Sequence, residues 1–213
     1  MDGAQRGLTL AEITAAVQAG PVGPSSDYDL NPAVRDLLPA GRKLRPAAVL
    51  CAFIDRPTGP QVILTRRSSE LKHHPGQIAF PGGKVDPTDA GPEDAALRET
   101  EEEIGLPRAQ VEVIGALDPH ETVTGFTVIP YVGVVRAPFV PQPEAGEVEE
   151  VFEVPAAFLM QPGSYRVERR RWRGQDRRYY VAPWGPYYVW GATARMLRGL
   201  ADRVSARIGA PCD

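Results

Sequence analysis

One short acidic segment constrains this chain more than any other. Residues 98–106 read Arg-Glu-Thr-Glu-Glu-Glu-Ile-Gly-Leu, and the pattern predicts a helix over 92–104 that begins at Pro92 and stops at Gly105. Four glutamates crowd its C-terminal half, where the helix dipole disfavours carboxylates, and no basic residue follows before Arg108. A bound cation would offset this cost.

Three of these acids share one face of the predicted helix. Glu99, Glu102 and Glu103 stand at positions i, i+3 and i+4, whereas Leu97 and Ile104 fall on the opposite, core-facing side. Carboxylates placed together repel unless one is protonated or a hard divalent ion lies between them. Oxygen-only ligands predict Mg²⁺, or Mn²⁺ in its place. The alternative is a solvated acidic helix face.

A glycine-rich loop precedes this helix. The segment 78–87, Ile-Ala-Phe-Pro-Gly-Gly-Lys-Val-Asp-Pro, carries a short apolar strand into a turn-rich stretch. Glycines let a backbone approach an anion closely or offer a carbonyl to a metal, which makes Gly83 a candidate ligand. Neither a Walker lysine-serine pair nor a spaced triple glycine is present. We therefore expect a phosphate to be held through metal rather than through backbone amides.

The segment Gly83–Leu106 resembles the Nudix box. The matching positions are Arg98, Glu99, Glu102, Glu103, Gly105 and Leu106. Two departures stand: the spacing to the arginine is one residue longer, with Asp89 in place of the first glutamate, and Thr100 replaces an aliphatic residue. The resemblance implies an α+β fold, a Nudix-type α/β/α sandwich with a mixed sheet.

The resemblance also implies roles for residues of the box. Metal binding falls to Glu99, Glu102, Glu103 and the carbonyl of Gly83. The catalytic residues are Glu102, Glu103 and Arg98, and Arg98 orients Glu102 from position i−4. The general base is either Glu102 or a glutamate of a distant loop. The loop candidates are Glu147, Glu149 and Glu150, for which a solvated acidic loop is the plainer interpretation.

Residues 64–83 resemble the extra signature of the coenzyme A pyrophosphatase branch of this family, with Lys72 where the branch has arginine. Residues 189–197 resemble the start of its C-terminal helix. The substrate-binding residues implied are Arg66, Arg67, Lys72, Gly76, Phe80 and Gly82. Strand alternation lets only one of the two neighbouring arginines face a cleft. The products would be adenosine 3′,5′-bisphosphate and 4′-phosphopantetheine.

Two other functions stay open. One is a Nudix pyrophosphatase for another nucleoside diphosphate derivative, such as ADP-ribose. The other is a non-catalytic module that binds nucleotides or RNA. An arginine-rich hairpin around Gly174 would suit RNA, but a net charge of −3 favours a solvated face and argues against nucleic acid as a main partner. Aromatic residues near this hairpin, Trp172 among them, stack adenine or simply pack.

The chain of 213 residues suits one hydrolase domain over 45–208, preceded by a helix and wrapping linker over 1–44 and followed by a tail over 209–213. Thr9 and Glu12 form a capping box for the first helix. The other predicted elements are strands over 47–54, 61–65, 78–80, 111–117, 127–135, 151–154, 166–172 and 177–181, a helical turn near Phe158, and a last helix over 190–208.

Composition narrows the setting. Cys51 and Cys212 lie far apart and form neither a metal spacing nor a disulfide framework, so a reducing cytoplasm is expected. No signal peptide or transmembrane run is visible, so no membrane partner is expected. The expected partner is a small-molecule substrate. Homodimers are common in the family, so the resemblance allows a homodimer.

Overall fold

The computed structural model describes residues 7–39, 41–172 and 175–209, without the side chains of residues 172 and 175. Several sequence predictions fall outside this part of the chain: the hairpin turn at Gly174, the side chain of Trp172, residues 210–213 of the tail, and Cys212.

The described residues form five helices and twelve strands. The helices are α1 (Leu10–Gln18), α2 (Pro32–Arg35), α3 (Pro92–Ile104), α4 (Ala156–Leu159) and α5 (Gly191–Ile208). The strands are β1 (Ser25–Ser26), β2 (Arg45–Ile54), β3 (Gln61–Arg67), β4 (Ile78–Ala79), β5 (Gly82–Lys84), β6 (Val111–Ala116), β7 (His120–Glu121), β8 (Phe126–Val135), β9 (Val148–Pro155), β10 (Arg166–Trp172), β11 (Gln175–Trp184) and β12 (Tyr187–Trp190). Each predicted strand is confirmed.

Within the described residues, nine strands make one mixed sheet. Its path is β1–β7–β8–β2–β3–β4, with β5 attached to β2, β6 to β8 and β9 to β3. The central pair, β2 and β8, runs parallel along the whole of both strands. The hairpin of β2 and β3 is antiparallel, as predicted. Strands β10, β11 and β12 form a separate antiparallel sheet.

Side-chain alternation along β2 divides the core into two layers. Leu50, Ala52 and Ile54 pack on the side that holds Ile104 of α3, whereas Cys51 and Phe53 pack with α1 and α5 on the other side. A sheet apolar on both faces needs a layer of helix or sheet on each. The α+β class and the mixed sheet between helices are therefore confirmed.

Helix α3 has both of its predicted ends. Pro92 occupies the first turn, and Gly105 ends the helix in the left-handed conformation at φ 69°, with its N–H donating to the carbonyl of Glu101. Thr100, which stands at an aliphatic position of the box, is buried. Its hydroxyl donates to the carbonyl of Ala96 at 2.6 Å, so the polar atom is satisfied within the core.

The described part of the N-terminal segment, residues 7–39 and 41–44, contains a helix, a short strand and a further helical turn. The capping box of α1 is confirmed, and β1 joins the main sheet in parallel to β7. His120 of β7 is fully buried between the hydroxyl of Ser25, at 2.8 Å, and the carboxylate of Asp27, at 3.2 Å. These two polar contacts hold the N-terminal segment against the main sheet. None of the described helices is long and apolar enough to cross a membrane.

Candidate active site

Two adjacent glycines let β5 lie between β2 and α3. An ideal Cβ on Gly82 would lie 2.5 Å from the carbonyl oxygen of Ala48 and 2.6 Å from Cα of Val49, and φ there is +143°. A Cβ on Gly83 would lie 2.5 Å from the carboxylate carbon of Glu99. Glycine is therefore required at the first position by the backbone, whereas a side chain at the second position would displace a carboxylate of α3.

Glu103 is the most buried of the three carboxylates predicted to bind metal, with 4% of the residue exposed. Its Oε2 accepts a hydrogen bond from the N–H of Gly82 at 3.1 Å, and Nη1 of Arg67 lies 3.8 Å from Oε1. Burial raises the pKa of this carboxyl from 4.5 to about 7, the hydrogen bond and Arg67 oppose the rise, and Glu99 and Glu147 add to it. When Glu103 is ionised, the N–H of Gly82 and the guanidinium of Arg67 therefore do not fully compensate its negative charge.

Glu99 lies partly buried one turn away on the same face of α3. Burial raises the pKa of its carboxyl, Arg98 opposes the rise, and the nearby charges of Glu102 and Glu147 add to it. Glu99 and Glu103 both have pKa values raised by burial and by the charge of Glu147, and a bound cation would relieve this arrangement.

Arg98 connects the box to the loop before the helix. Its Nε and Nη2 donate to the two carboxylate oxygens of Asp89, at 2.7 and 3.0 Å, and Nη1 donates to Glu102 at 2.9 Å. Nη1 also lies 3.2 Å from Glu99. The hydrogen bonds from Arg98 lower the pKa of Asp89 to about 2. Asp89, which stands where the box has its first glutamate, thus fixes the guanidinium that contacts two candidate ligands.

A loop that follows β8 closes the C-terminal end of α3. The N–H of Gln142 donates to the carbonyl of Ile104, and the N–H of Glu144 donates to the carbonyl of Glu103, both at 2.9 Å. These bonds satisfy two carbonyls that a helix leaves unpaired at its end. The sequence gives no signal for this contact, because both donors are backbone groups.

The same loop carries Glu147 to the acidic face. Its carbonyl accepts from the N–H of Ser68 at 2.8 Å, and its charge raises the pKa of both Glu99 and Glu103. Glu149 and Glu150, the other loop candidates for the general base, instead pair with Arg66, at 3.2 and 3.0 Å. The three loop candidates therefore differ in their surroundings: the charge of Glu147 acts on Glu99 and Glu103, whereas Glu149 and Glu150 pair with Arg66.

Arg66 and Arg67 point to opposite sides of the sheet, as strand alternation predicts. Arg67 lies beside Glu103, whereas Arg66 lies among Glu149, Glu150 and Tyr187, whose hydroxyl donates to Glu150 at 2.7 Å. Of the two arginines, Arg67 is the one that reaches the box.

The remaining predicted substrate contacts have mixed positions. Lys72 and Gly76 are exposed in the loop between β3 and β4, and Gly76 adopts φ +66°. Phe80 is 3% exposed and packs in the main core cluster. Its side chain therefore packs with the core, and a substrate contact of this residue stays a prediction. Of the aromatic residues considered for adenine stacking, Tyr187 stacks on Phe152 with ring centroids 3.6 Å apart.

The donor set fits a hard divalent ion. Among the described residues, no group of three or more aspartate, glutamate, histidine or cysteine side chains is arranged to bind a metal ion. Glu102 is instead paired with Arg98. Glu99 and Glu103 nevertheless offer carboxylate oxygens with raised pKa values beside the glycines of β5. Oxygen donors with uncompensated charge suit Mg²⁺ or Mn²⁺ better than softer metals.

The NUDIX domain family matches residues 44–175. The chain belongs to the Nudix hydrolase family, whose members hydrolyse nucleoside diphosphate derivatives and generally use divalent metal ions.

Two similar bacterial proteins carry the same description, an uncharacterized Nudix hydrolase, NudL. The protein from Klebsiella pneumoniae subsp. pneumoniae is 45% identical over 163 residues, which cover 76% of this chain and 84% of the relative. The Escherichia coli K12 protein is 43% identical over the same lengths. Among solved structures, the MutT protein from Methanosarcina mazei Go1 is 18% identical, covers 79% of this chain and 99% of that one, and superposes with a TM-score of 0.48.

Proposed function

We propose that the protein hydrolyses the pyrophosphate bond of coenzyme A, or of its derivatives, with Mg²⁺ or Mn²⁺. The products would be adenosine 3′,5′-bisphosphate and 4′-phosphopantetheine. The observation that carries this proposal is the position of Arg67. This residue belongs to the segment 64–83 that resembles the coenzyme A branch, and its guanidinium lies 3.8 Å from Glu103 of the Nudix box.

The loop that follows Arg67 supports a substrate with several phosphates. The N–H of Arg67 donates to the carbonyl of Gln77 at 3.0 Å, and its carbonyl accepts from the N–H of Gly76 at 3.1 Å. Lys72 is exposed in this closed loop, which directly follows strand β3. Arginine and lysine are the side chains that bind phosphate groups. Coenzyme A carries a 3′-phosphate beyond its pyrophosphate, which gives both cations an anionic partner.

Glu99 and Glu103 would hold the metal, with Glu102 and the carbonyl of Gly83 as further ligands. A bound divalent ion supplies charge neutralisation of the pyrophosphate, polarisation of phosphorus and a lower pKa for an attacking water. Arg98 contributes by positioning Glu102 through its 2.9 Å hydrogen bond.

Glu147 is the best placed general base among the loop glutamates. Its carboxylate is exposed, its charge acts on both Glu99 and Glu103, and its backbone is fixed by Ser68. Glu102, the first choice from the sequence, is held by Arg98, which suits a metal ligand better than a proton acceptor. We therefore assign proton removal from the attacking water to Glu147.

Glu147→Gln is expected to lower kcat by roughly a hundredfold or more, because the amide keeps the shape of the side chain but cannot accept the proton. Steady-state rates with Mg²⁺ measure this effect. Glu149→Gln is the matched control: its carboxylate pairs with Arg66 on the far side of the sheet, so its rate should stay within about threefold of wild type. Full activity in Glu147→Gln would contradict the assignment of Glu147 as general base and would leave Glu102 as the candidate.

The substrate assignment is tested by products. Incubation with coenzyme A and Mg²⁺ in ¹⁸O water, followed by mass spectrometry, should release the two expected products with one labelled oxygen. Dephospho-coenzyme A lacks the 3′-phosphate and should react with a kcat/KM lower by about tenfold or more, since one charge-assisted contact is lost. Cleavage of ADP-ribose but not coenzyme A would reject the proposal in favour of another Nudix specificity. No hydrolysis of any of these would favour a binding module.

A further inference from the structure

We infer that Arg67 is an exchangeable counter-ion: it pairs with Glu103 while the metal is absent, yields that carboxylate to the metal, and then contacts the phosphates of the substrate. This inference rests on the proposed use of a divalent ion at Glu99 and Glu103. It assigns to Arg67 a coupling between metal and substrate that goes beyond a simple phosphate contact.

The contact between Arg67 and Glu103 is loose. Nη1 of Arg67 lies 3.8 Å from Oε1 of Glu103, which is beyond hydrogen-bond length and leaves an electrostatic attraction. The other oxygen, Oε2, already accepts the N–H of Gly82 at 3.1 Å. Oε1 therefore faces the cation, and a metal that ligates this oxygen would take the place of the guanidinium.

The backbone of Arg67 is fixed, so its side chain can change partner without movement of the strand. The residue is bonded through both its N–H and its carbonyl to the loop end at Gln77 and Gly76. The register of β3 against β9 shifts between Arg66 and Arg67, an irregularity of the kind that redirects side chains. The side chain of Arg67 retains 28% exposure, in contrast to 5% for the side chain of Glu103.

The surrounding charges favour the exchange. Glu99 and Glu147 both add negative charge at Glu103, and Arg67 is the guanidinium beside that carboxylate, whereas Arg98 lies against Glu99 and Glu102. A divalent ion carries twice the charge and binds the oxygens directly, which gives it the stronger attraction. The released guanidinium then finds a partner with matching planar geometry in a phosphate. Arg67 therefore weakens metal binding in the free protein and strengthens substrate binding in the metal-loaded protein.

The test is a titration of substrate-free protein with Mn²⁺, in which electron paramagnetic resonance counts the free ion. Arg67→Gln should lower the Kd for Mn²⁺ by roughly three- to tenfold, because a competing positive charge is gone. Arg66→Gln is the matched control. Since Arg66 pairs with Glu149 and Glu150 on the other side of the sheet, its Kd should stay within about twofold of wild type.

A second measurement follows the other half of the exchange. Calorimetric titration of the Mn²⁺-loaded protein with inorganic pyrophosphate should give a Kd roughly tenfold weaker for Arg67→Gln. Arg67→Lys keeps the positive charge and should keep the Mn²⁺ affinity of wild type. If Arg67→Lys instead behaves as Arg67→Gln, lost packing explains the effect and the inference is overturned.

An unchanged or weaker Mn²⁺ affinity in Arg67→Gln also overturns the inference, while leaving the proposed function in place. Absence of Mn²⁺ binding in wild type is a different result. It would overturn both the inference and the proposed metal site, so the two failures are distinguished by the wild-type titration alone.

Discussion

Glu103→Gln is expected to lower kcat by about a thousandfold or more while the fold stays intact. The amide has the shape of the carboxylate, and its oxygen can still accept the N–H of Gly82. It lacks the negative charge that would hold a divalent ion, and loss of about 4 kcal/mol of transition-state stabilisation corresponds to that factor. Steady-state kinetics measures the loss, and circular dichroism checks the fold.

The same variant should be more stable than wild type when metal is absent. The pKa of Glu103 rises from 4.5 to about 7 on folding, so ionisation of the carboxyl opposes the folded state once the pH passes that range. At pH 8, with a chelator, Glu103→Gln should gain about 1–3 kcal/mol in the free energy of unfolding. The gain should shrink as the pH falls from 7 towards 4.5 and vanish below that range, where the wild-type carboxyl is protonated in both states.

Glu101→Gln is the control for both effects. Glu101 lies on the same helix but is exposed and pairs with Arg108 at 3.0 Å, away from the candidate ligands. Its activity should stay within about threefold of wild type and its stability within about 0.5 kcal/mol. Equal activity in Glu103→Gln and Glu101→Gln would contradict the assignment of Glu103 as a ligand.

Gly83→Ala is expected to disable the site through Glu99 rather than through the fold. The new methyl group would lie 2.5 Å from the carboxylate carbon of Glu99 and 2.5 and 2.6 Å from its oxygens, so the carboxylate must move. The end of a glutamate moves easily, so the cost falls on ligand position. We expect kcat/KM to drop by roughly a hundredfold, as misplacement of a catalytic group by about 1 Å does elsewhere.

Gly91→Ala provides the matched control for this glycine. Gly91 precedes the same helix, but a Cβ there meets nothing within 4 Å. Activity and Mn²⁺ affinity should stay within about threefold of wild type, because an alanine in place of glycine at the helix N-cap costs roughly 0.5–1 kcal/mol of helix stability and displaces no candidate ligand. If Gly83→Ala matches this control in activity, Glu99 does not act from its present position.

The elements that local patterns specify were predictable from the sequence. Helix α3 starts and ends where Pro92 and Gly105 indicate, because its limits depend on the local chain. A continuous apolar run predicts strand β2, because a strand buried on both faces needs apolar residues on both sides. Strands β1, β5, β7 and β12 are not predicted as separate elements, since segments of two to four residues carry little periodicity and pair only through tertiary contacts.

The site was predictable in composition but not in its electrostatics. Helical spacing puts Glu99, Glu102 and Glu103 on one face, yet the structure buries Glu103, partly buries Glu99 and leaves Glu102 exposed beside Arg98. Burial depends on β5 and on the loop that follows β8, both distant in sequence. The place of Phe80 in a signature likewise gives no information about the direction of its side chain, which packs in the main core cluster.

The most direct test is the anomalous scattering of crystals soaked in Mn²⁺ at a pH near 8. We expect a peak about 2.1 Å from carboxylate oxygens of both Glu99 and Glu103, the distance at which such ions bind oxygen ligands. Arg67 should have left Glu103 in the same crystals. If no anomalous peak lies at these two carboxylates and Arg67 is still beside Glu103, the assignment of Glu99 and Glu103 as metal ligands is contradicted.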